Sequence, residues 1–511
     1  MSDWTAGYVA DIGYTYGYYS ELNPQRIRLA FLHQGLHFPE VGAACELGFG
    51  QGLSTNFHAA ASITEWHGTD FNPSQAGFAQ ELAAASGASA HLRDDAFADF
   101  AKRLDLPDFD FIALHGIWSW ISDENRHVIV DFIRKKLKVG GVLYISYNTQ
   151  PGWAAFAPMR HLMTEHAEVL GSEGRGIVSR IDGALDFAEK LIATNPLFSR
   201  ANPLVGDRLK KMKGHNRHYL AHEYFNKDWH PMHFATMADW LESAKLQFAC
   251  SAHYIDHIDS VNLTAAQQTF LAEVPDLMFR ETVRDFMVNQ QFRRDYWVKG
   301  ARKMDAVQQT QALRSQRVLL TAHRPDISLK IAGTLGEADM NVAIYAPILD
   351  LLADHKVRTI EQLEKELEGT GIAYGQLLQA ILLLAGAGHL SLVQDEAVIN
   401  KARKQTDRLN AHLTHKACGN NDVSYLASPV TGGGYSINRI QQLFLLARQQ
   451  GQKTPEAWAR FTWDILRSQK QRIIKEGKTI ESDDGNLREL TSQASAFAKK
   501  QIPILTALEI I

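Results

Sequence analysis

Between the small, apolar run Val41 to Cys45 and the helix-like stretch Leu53 to Ala61 stands Glu46-Leu47-Gly48-Phe49-Gly50-Gln51-Gly52, an acidic residue and three alternate glycines. No other stretch limits the fold so strongly. An apolar run ending in glycines and followed by helical composition reads as a strand, a tight turn and a helix start. Glycines there let backbone approach a ligand, and the free N–H groups of the helix start attract an anionic group such as a carboxylate.

A dinucleotide fingerprint would place its third glycine one residue later, at the position of Leu53. Glu46 also stands where a carboxylate would repel a pyrophosphate but accept hydrogen bonds from an ammonium group. The spacing therefore favours S-adenosylmethionine over a nicotinamide or flavin dinucleotide.

The strands that follow strengthen this reading. Glu65-Trp66-His67-Gly68-Thr69-Asp70 reads as a second strand, ending in a carboxylate about twenty residues past the turn, where ribose hydroxyls are held. Phe71-Asn72-Pro73-Ser74 starts a helix, with Pro73 in its first turn and Asn72 as cap. His91 to Ala96 ends a third strand, with Asp95 favoured over Asp94 as acceptor for an adenine amino group. Phe109 to Leu114 runs into His115, and Val142 to Ser146 follows. Strands alternating with helices predict an α/β fold whose parallel sheet binds ligands beyond the carboxyl ends of its strands. Glu46, Asp70, Asp95 and His115 all fall at such ends.

These segments, with His115-Gly116-Ile117-Trp118-Ser119-Trp120-Ile121-Ser122, Tyr147 to Trp153, Tyr219 to Phe225 and Phe292 to Tyr296, resemble the class I S-adenosylmethionine-dependent methyltransferases. More narrowly, they resemble a bacterial subgroup carrying a methyltransferase regulatory domain. The likeness covers the first three hundred residues well and the rest loosely. It implies a Rossmann-like catalytic domain with a helical regulatory segment. Because the subgroup includes rickettsial enzymes that methylate lysines of outer-membrane proteins, it also implies protein lysine as substrate.

At 511 residues the chain exceeds one core. The expected division is a catalytic domain over 1–257 with a helical insertion at 154–218, a regulatory segment over 258–310, a winged-helix-like unit over 311–400 and a helical domain over 401–511. The third helix of the winged-helix-like unit, Tyr374 to Ala385, is leucine-rich and carries no Lys or Arg, so it reads as core and not as a DNA reader. Net charge of −4 gives no general attraction to nucleic acid or anionic membranes. Three widely spaced cysteines and the lack of an apolar run long enough to cross a bilayer predict a cytoplasmic location. The expected partners are a protein substrate, with a surface or outer-membrane protein before its export as one candidate, and a second copy of the chain.

Candidate site residues follow from these placements. Tyr16, Glu46, Gly48, Gly50, Gly52, Asp70, Asp95 and His115 are expected around the cofactor. His115, Tyr19 and Tyr147 are the catalytic candidates, and Tyr14, Trp118, Glu223 and Tyr224 the substrate contacts. The aromatic run Tyr14 to Tyr19 reads as an arm across a sulfonium, whose charge suits aromatic faces. His215, His218, His222, His230 and His233 lack the H-E-x-x-H register, so no metal is expected. Two other readings stay open: methylation of a small molecule or sugar hydroxyl, and a cofactor-sensing regulator with little turnover.

Overall fold

The computed structural model describes residues 15–171, 174 and 176–511. Its centre is a seven-stranded sheet of β1 (Ala43–Leu47), β2 (Glu65–Thr69), β3 (Ala90–Arg93), β4 (Phe109–Leu114), β5 (Leu137–Asn148), β6 (Leu246–Ser251) and β7 (Phe292–Lys299). The spatial order is β3-β2-β1-β4-β5-β7-β6, and β7 alone runs antiparallel to its neighbours. Helix α1 (Pro24–His33) precedes the sheet, and α2 (Leu53–Ala60), α3 (Pro73–Ser86), α4 (Phe97–Phe100) and α5 (Asp123–Lys136) connect its first five strands. Asn72 caps α3 by accepting from Ser74 N, with Pro73 in the first turn, as the sequence suggests.

Chain reversal between β1 and β4 places the carboxyl ends of β1, β2 and β4 side by side at a topological switch point. Trp66, Phe111, Tyr144 and Tyr296 pack on one face of the sheet; Cys45, Phe109, Ile112, Leu143 and Trp297 pack on the other.

The expected domain boundaries do not separate independent cores. β7 lies inside the segment expected as regulatory, yet it fills the gap between β5 and β6, so 258–310 completes the seven-stranded sheet. The helical insertion also runs further than 218. Its core extends through Leu220, Ala221 and Tyr224, closing on the helix Arg217–Tyr224.

Residues 311–400 contain β8 (Arg317–Leu320), the hairpin of β9 (Lys330–Gly333) and β10 (Gly336–Asp339), β11 (Arg358–Thr359) and β12 (Leu390–Leu392). β8 lies between β11 and β12. In the helix Tyr374–Gly386, Leu377 and Ile381 to Leu384 are buried in the same apolar cluster as Trp66 and Tyr296. That helix is core, but the core is shared with the seven-stranded sheet.

The carboxy-terminal region covers the helix that follows the glycine turn. All eight residues of α2 are buried, although Ser54, Thr55, Asn56 and His58 are polar. Burial of such a helix requires a partner for each polar group. Ser54 Oγ accepts from Tyr19 N at 2.8 Å, Thr55 donates to Glu46, and Asn56 Nδ2 donates to the carbonyls of Gly52 and Ala79. His58 Nδ1 lies 3.0 Å from the Gly432 carbonyl, in the turn joining β13 (Tyr425–Ser428) to β14 (Gly433–Ser436). The same turn accepts from Asn23 Nδ2 at Thr431 O, 2.8 Å away. A terminal hairpin therefore clamps both α2 and the segment Thr15 to Asn23 onto the sheet. Among the described residues no helix is long and apolar enough to cross a membrane.

Candidate active site

One pocket opens at the strand ends. The β1 turn supplies Glu46, Gly48, Phe49, Gly50 and Gln51; β2 leads to Asp70 and Phe71; Gln75 comes from α3 and Phe97 from α4. β4 leads to His115, Gly116 and Ile117, with Trp120 and Ile121 beyond, and Thr15, Gly17 and Tyr19 close the other side.

The glycines are required by geometry. Gly48, Gly50 and Gly52 have φ of 72°, 58° and 67°, in the left-handed region. A Cβ on Gly48 would sit 2.6 Å from Ile117 Cγ2 at the pocket wall, and one on Gly52 2.5 Å from Ala79 Cβ. The first glycine thus keeps the pocket open. The third lets α2 approach α3 and lies outside the pocket lining.

Two buried acids face this turn. Asp70 accepts from Gly50 N at 2.8 Å and Asn72 N at 3.1 Å, tying the ends of β1 and β2 together. Burial nevertheless pushes its carboxyl up to about 7. Glu46 accepts from the Thr55 hydroxyl; burial pushes it up to about 8, and the neighbouring Asp70 adds to the shift. Such a pair is suited to a ligand that brings positive charge and hydroxyl donors, because both relieve the cost of burying carboxylates.

His115 is held between aromatic groups. Its ring stacks on Tyr19 with centroids 3.4 Å apart, and its Nδ1 lies 2.8 Å from the Tyr144 hydroxyl. Burial pulls the imidazole down to about 4; Glu21 opposes the shift and Arg294 adds to it. Glu21 itself is bound by Arg294 at 2.6 Å. At neutral pH this histidine is an uncharged ring beside the pocket.

The structure gathers Tyr19, Glu46, Gly48, Gly50, Asp70 and His115 around one cavity and places the other candidates elsewhere. Asp95 turns to Arg103 at 3.3 Å, and Phe97, two residues later, reaches the pocket in its stead. Tyr16 packs edge-on against Phe78. Tyr147 faces the opposite side of the sheet from Tyr144 and donates to Asp295 at 2.9 Å. Trp118 is buried with its Nε1 toward Met232 Sδ, whereas Trp120 lines the cavity. Tyr224 packs on Trp153 and Phe156 in the insertion, and Glu223 approaches the site through its carbonyl, which accepts from Trp120 Nε1 at 3.3 Å. Tyr14 lies outside the described residues. Of the two tryptophans in the aromatic segment that the sequence offers to a sulfonium, Trp120 is the one that reaches the cavity; Phe71 and Phe97 escape sequence reasoning because a single apolar residue just past a strand end carries no signal of which way it turns.

Two solved structures share this architecture. The structure of PKMT2 from Rickettsia typhi superposes with a TM-score of 0.68 over 95% of this chain and 98% of that one, at 18% identity. The same protein in complex with AdoHcy gives 0.67 over 94% and 97%, at 17% identity. Residues 216–299 match the family described as "Predicted methyltransferase regulatory domain". An uncharacterized protein of Synechocystis is 42% identical over 99% of both chains. The chain belongs to one family with that Synechocystis protein, carries the regulatory domain over 216–299 and shares its fold with the two rickettsial structures. The regulatory match spans the end of the insertion, the helix Phe234–Glu242 and strands β6 and β7, so the matched unit is built into the seven-stranded sheet.

Proposed function

We propose that the protein transfers a methyl group from S-adenosylmethionine to the side-chain amine of a lysine in a protein substrate. The observation that carries this reading is the convergence of Glu46 and Asp70, two buried acids of raised pKa, on a glycine-lined cavity closed by Tyr19 and His115. When bound, S-adenosylmethionine supplies a methyl group on a positively charged sulfur, which an amine lone pair takes as the sulfur–carbon bond breaks toward sulfur.

Glu46 fits the ligand's ammonium group and Asp70 its ribose hydroxyls. Phe71, Phe97 and Ile117 offer apolar surface for the base. Tyr19 and the uncharged His115 face the cavity without placing a second cation there, which suits a sulfonium. With a pKa about 4, His115 cannot hold the proton of a lysine ammonium. The amine therefore enters after losing its proton to water, and Tyr19 and His115 act by orientation and exclusion of solvent.

Protein substrate is favoured by the breadth of the covering elements, since the insertion meets the cavity residue Trp120 through the Glu223 carbonyl and the hairpin turn holds the arm bearing Tyr19 at Asn23. Incubating the protein with methyl-labelled S-adenosylmethionine and a cell lysate should label protein bands that yield methyl-lysine on hydrolysis. Label confined to small molecules would overturn the lysine assignment, and no label at all would overturn transfer.

Binding should be linked to pH. Both acids have folded pKa values raised above the ordinary range, so at pH 7 the free protein holds protons that the ionised, cation-paired forms give up. Affinity should rise from pH 6 and level off near pH 8, where the ligand's own amine begins to deprotonate. Calorimetric enthalpies at pH 7 should then differ between phosphate and Tris by the buffer's ionisation heat. Identical enthalpies would count against the pair.

Tyr19→Ala should lower kcat by about tenfold or more while leaving cofactor affinity within about threefold, because stacking on His115 orders the reacting end of the cavity. Wild-type turnover would remove the arm from the mechanism. Gly433→Ala tests the clamp behind it. A Cβ there would lie 2.2 Å from the Tyr18 hydroxyl and 3.0 Å from Asn23 Nδ2, displacing the arm from behind. Turnover should fall with little change in cofactor affinity, and unchanged steady-state rates would show that the arm tolerates the shift.

A further inference from the structure

The exposed end of the sheet carries a cluster that methyl transfer does not use. β2 and β3 run parallel there with His67 directly opposite His91. Glu65 lies two residues before His67, on the same face. Nε2 of His67 is 3.0 Å and Nε2 of His91 3.2 Å from one and the same oxygen, Glu65 Oε1. One donor atom from each residue lies within 4.8 Å of the other two. Glu65 and His91 are about half exposed, while His67 is buried against Phe109. Asp70, just past the end of β2, stands three residues beyond His67, roughly 10 Å by strand rise, and none of the three residues lines the cofactor pocket, so this cluster is separate from it.

The geometry points to a site for one divalent transition-metal ion of the zinc type, held by Glu65, His67 and His91. Zinc binds imidazole nitrogen and carboxylate oxygen at about 2.0–2.2 Å, which sets neighbouring tetrahedral donors roughly 3.3–3.5 Å apart. The two nitrogen–oxygen separations need open by only a few tenths of an ångström. Two imidazoles with one carboxylate suit a borderline metal, whereas calcium and magnesium prefer all-oxygen sets. The fourth position faces solvent, bordered by Ser89 Oγ at 3.4 Å from His91 Nε2. An ion at this point would pin the edge strand β3 to β2.

The test uses the full chain stripped with a chelator and titrated with Zn2+ by calorimetry and with Co2+ by visible absorption. Wild type should bind one equivalent at the site, give the intense visible bands of tetrahedral cobalt, and melt at a higher temperature with Zn2+. Glu65→Gln keeps a hydrogen-bond acceptor for both rings but lacks the charge, and His91→Ala removes a donor from an exposed edge. Each should weaken Zn2+ binding by about tenfold or more and abolish the cobalt bands, with circular dichroism unchanged. Absence of saturable binding at concentrations on the order of 100 μM would overturn the site. So would wild-type affinity in both variants, since that would place the metal among other histidines of the chain.

Discussion

Asp70→Ala should weaken S-adenosylmethionine binding by about a hundredfold, about 3 kcal/mol, because two ribose hydroxyls each lose a charged acceptor worth about 1.5–3 kcal/mol. The carboxylate also organises the turn, since it accepts from Gly50 N and Asn72 N. Loss of affinity therefore has two sources with one sign. Stability of the free protein should respond differently. Asp70 has a folded pKa raised to about 7, so its ionisation opposes folding, and that cost grows as pH rises from the unfolded value near 4 through 7. Relative to wild type, the melting temperature of ligand-free Asp70→Ala should accordingly increase between pH 5 and pH 8. Calorimetry and thermal melts at the two pH values read both effects, and wild-type affinity would remove Asp70 from the site.

Arg293→Ala should be the most destabilising single change, by about 3–5 kcal/mol. Arg293 is 5% exposed and bonds Asp295 at 2.9 Å, Asp285 at 2.7 Å and Glu281 at 2.8 Å. Three acids share one buried guanidinium, and burial leaves Asp285 at about 7. Removing the cation strands these buried carboxylates beside β7, next to the Tyr147 hydroxyl. Denaturant unfolding should show an early transition for this part of the molecule. Tyr147→Phe loses one hydrogen bond to the same cluster and should leave turnover near that of wild type. An Arg293→Ala protein as stable as wild type would mean that the acids simply protonate at no cost.

The first half of the sheet is legible in the sequence because glycines, strand-ending acids and the Asn72-Pro73 helix start each leave a chemical mark. Glu46, Asp70 and His115 reach the cavity for that reason. Asp95 does not, since a strand end fixes where the backbone stops but not which of the next few side chains turns inward; Phe97 does. Tyr147 illustrates period two along a strand: Tyr144 and Tyr147 differ by three positions and so face opposite sides. β7 is hidden in a helical context because an antiparallel strand inserted between β5 and β6 has no local signal of its partners. The polar residues of α2 do hold a clue. Ser54, Thr55, Asn56 and His58 give the helix polar groups on every side, and their burial is met by the Tyr19 arm, by Glu46, by α3 and, for His58, by the Gly432 carbonyl of the covering turn.

The glycine-lined cavity between Glu46, Asp70 and His115 is the proposed seat of both the methyl donor and its demethylated product. Calorimetric titration of the wild-type protein and Asp70→Ala with S-adenosylmethionine and S-adenosylhomocysteine tests it most directly. Saturable one-to-one binding of both ligands to wild type, weakened about a hundredfold in the variant, is the predicted result; no heat with either ligand, or equal affinity in the two proteins, would contradict it.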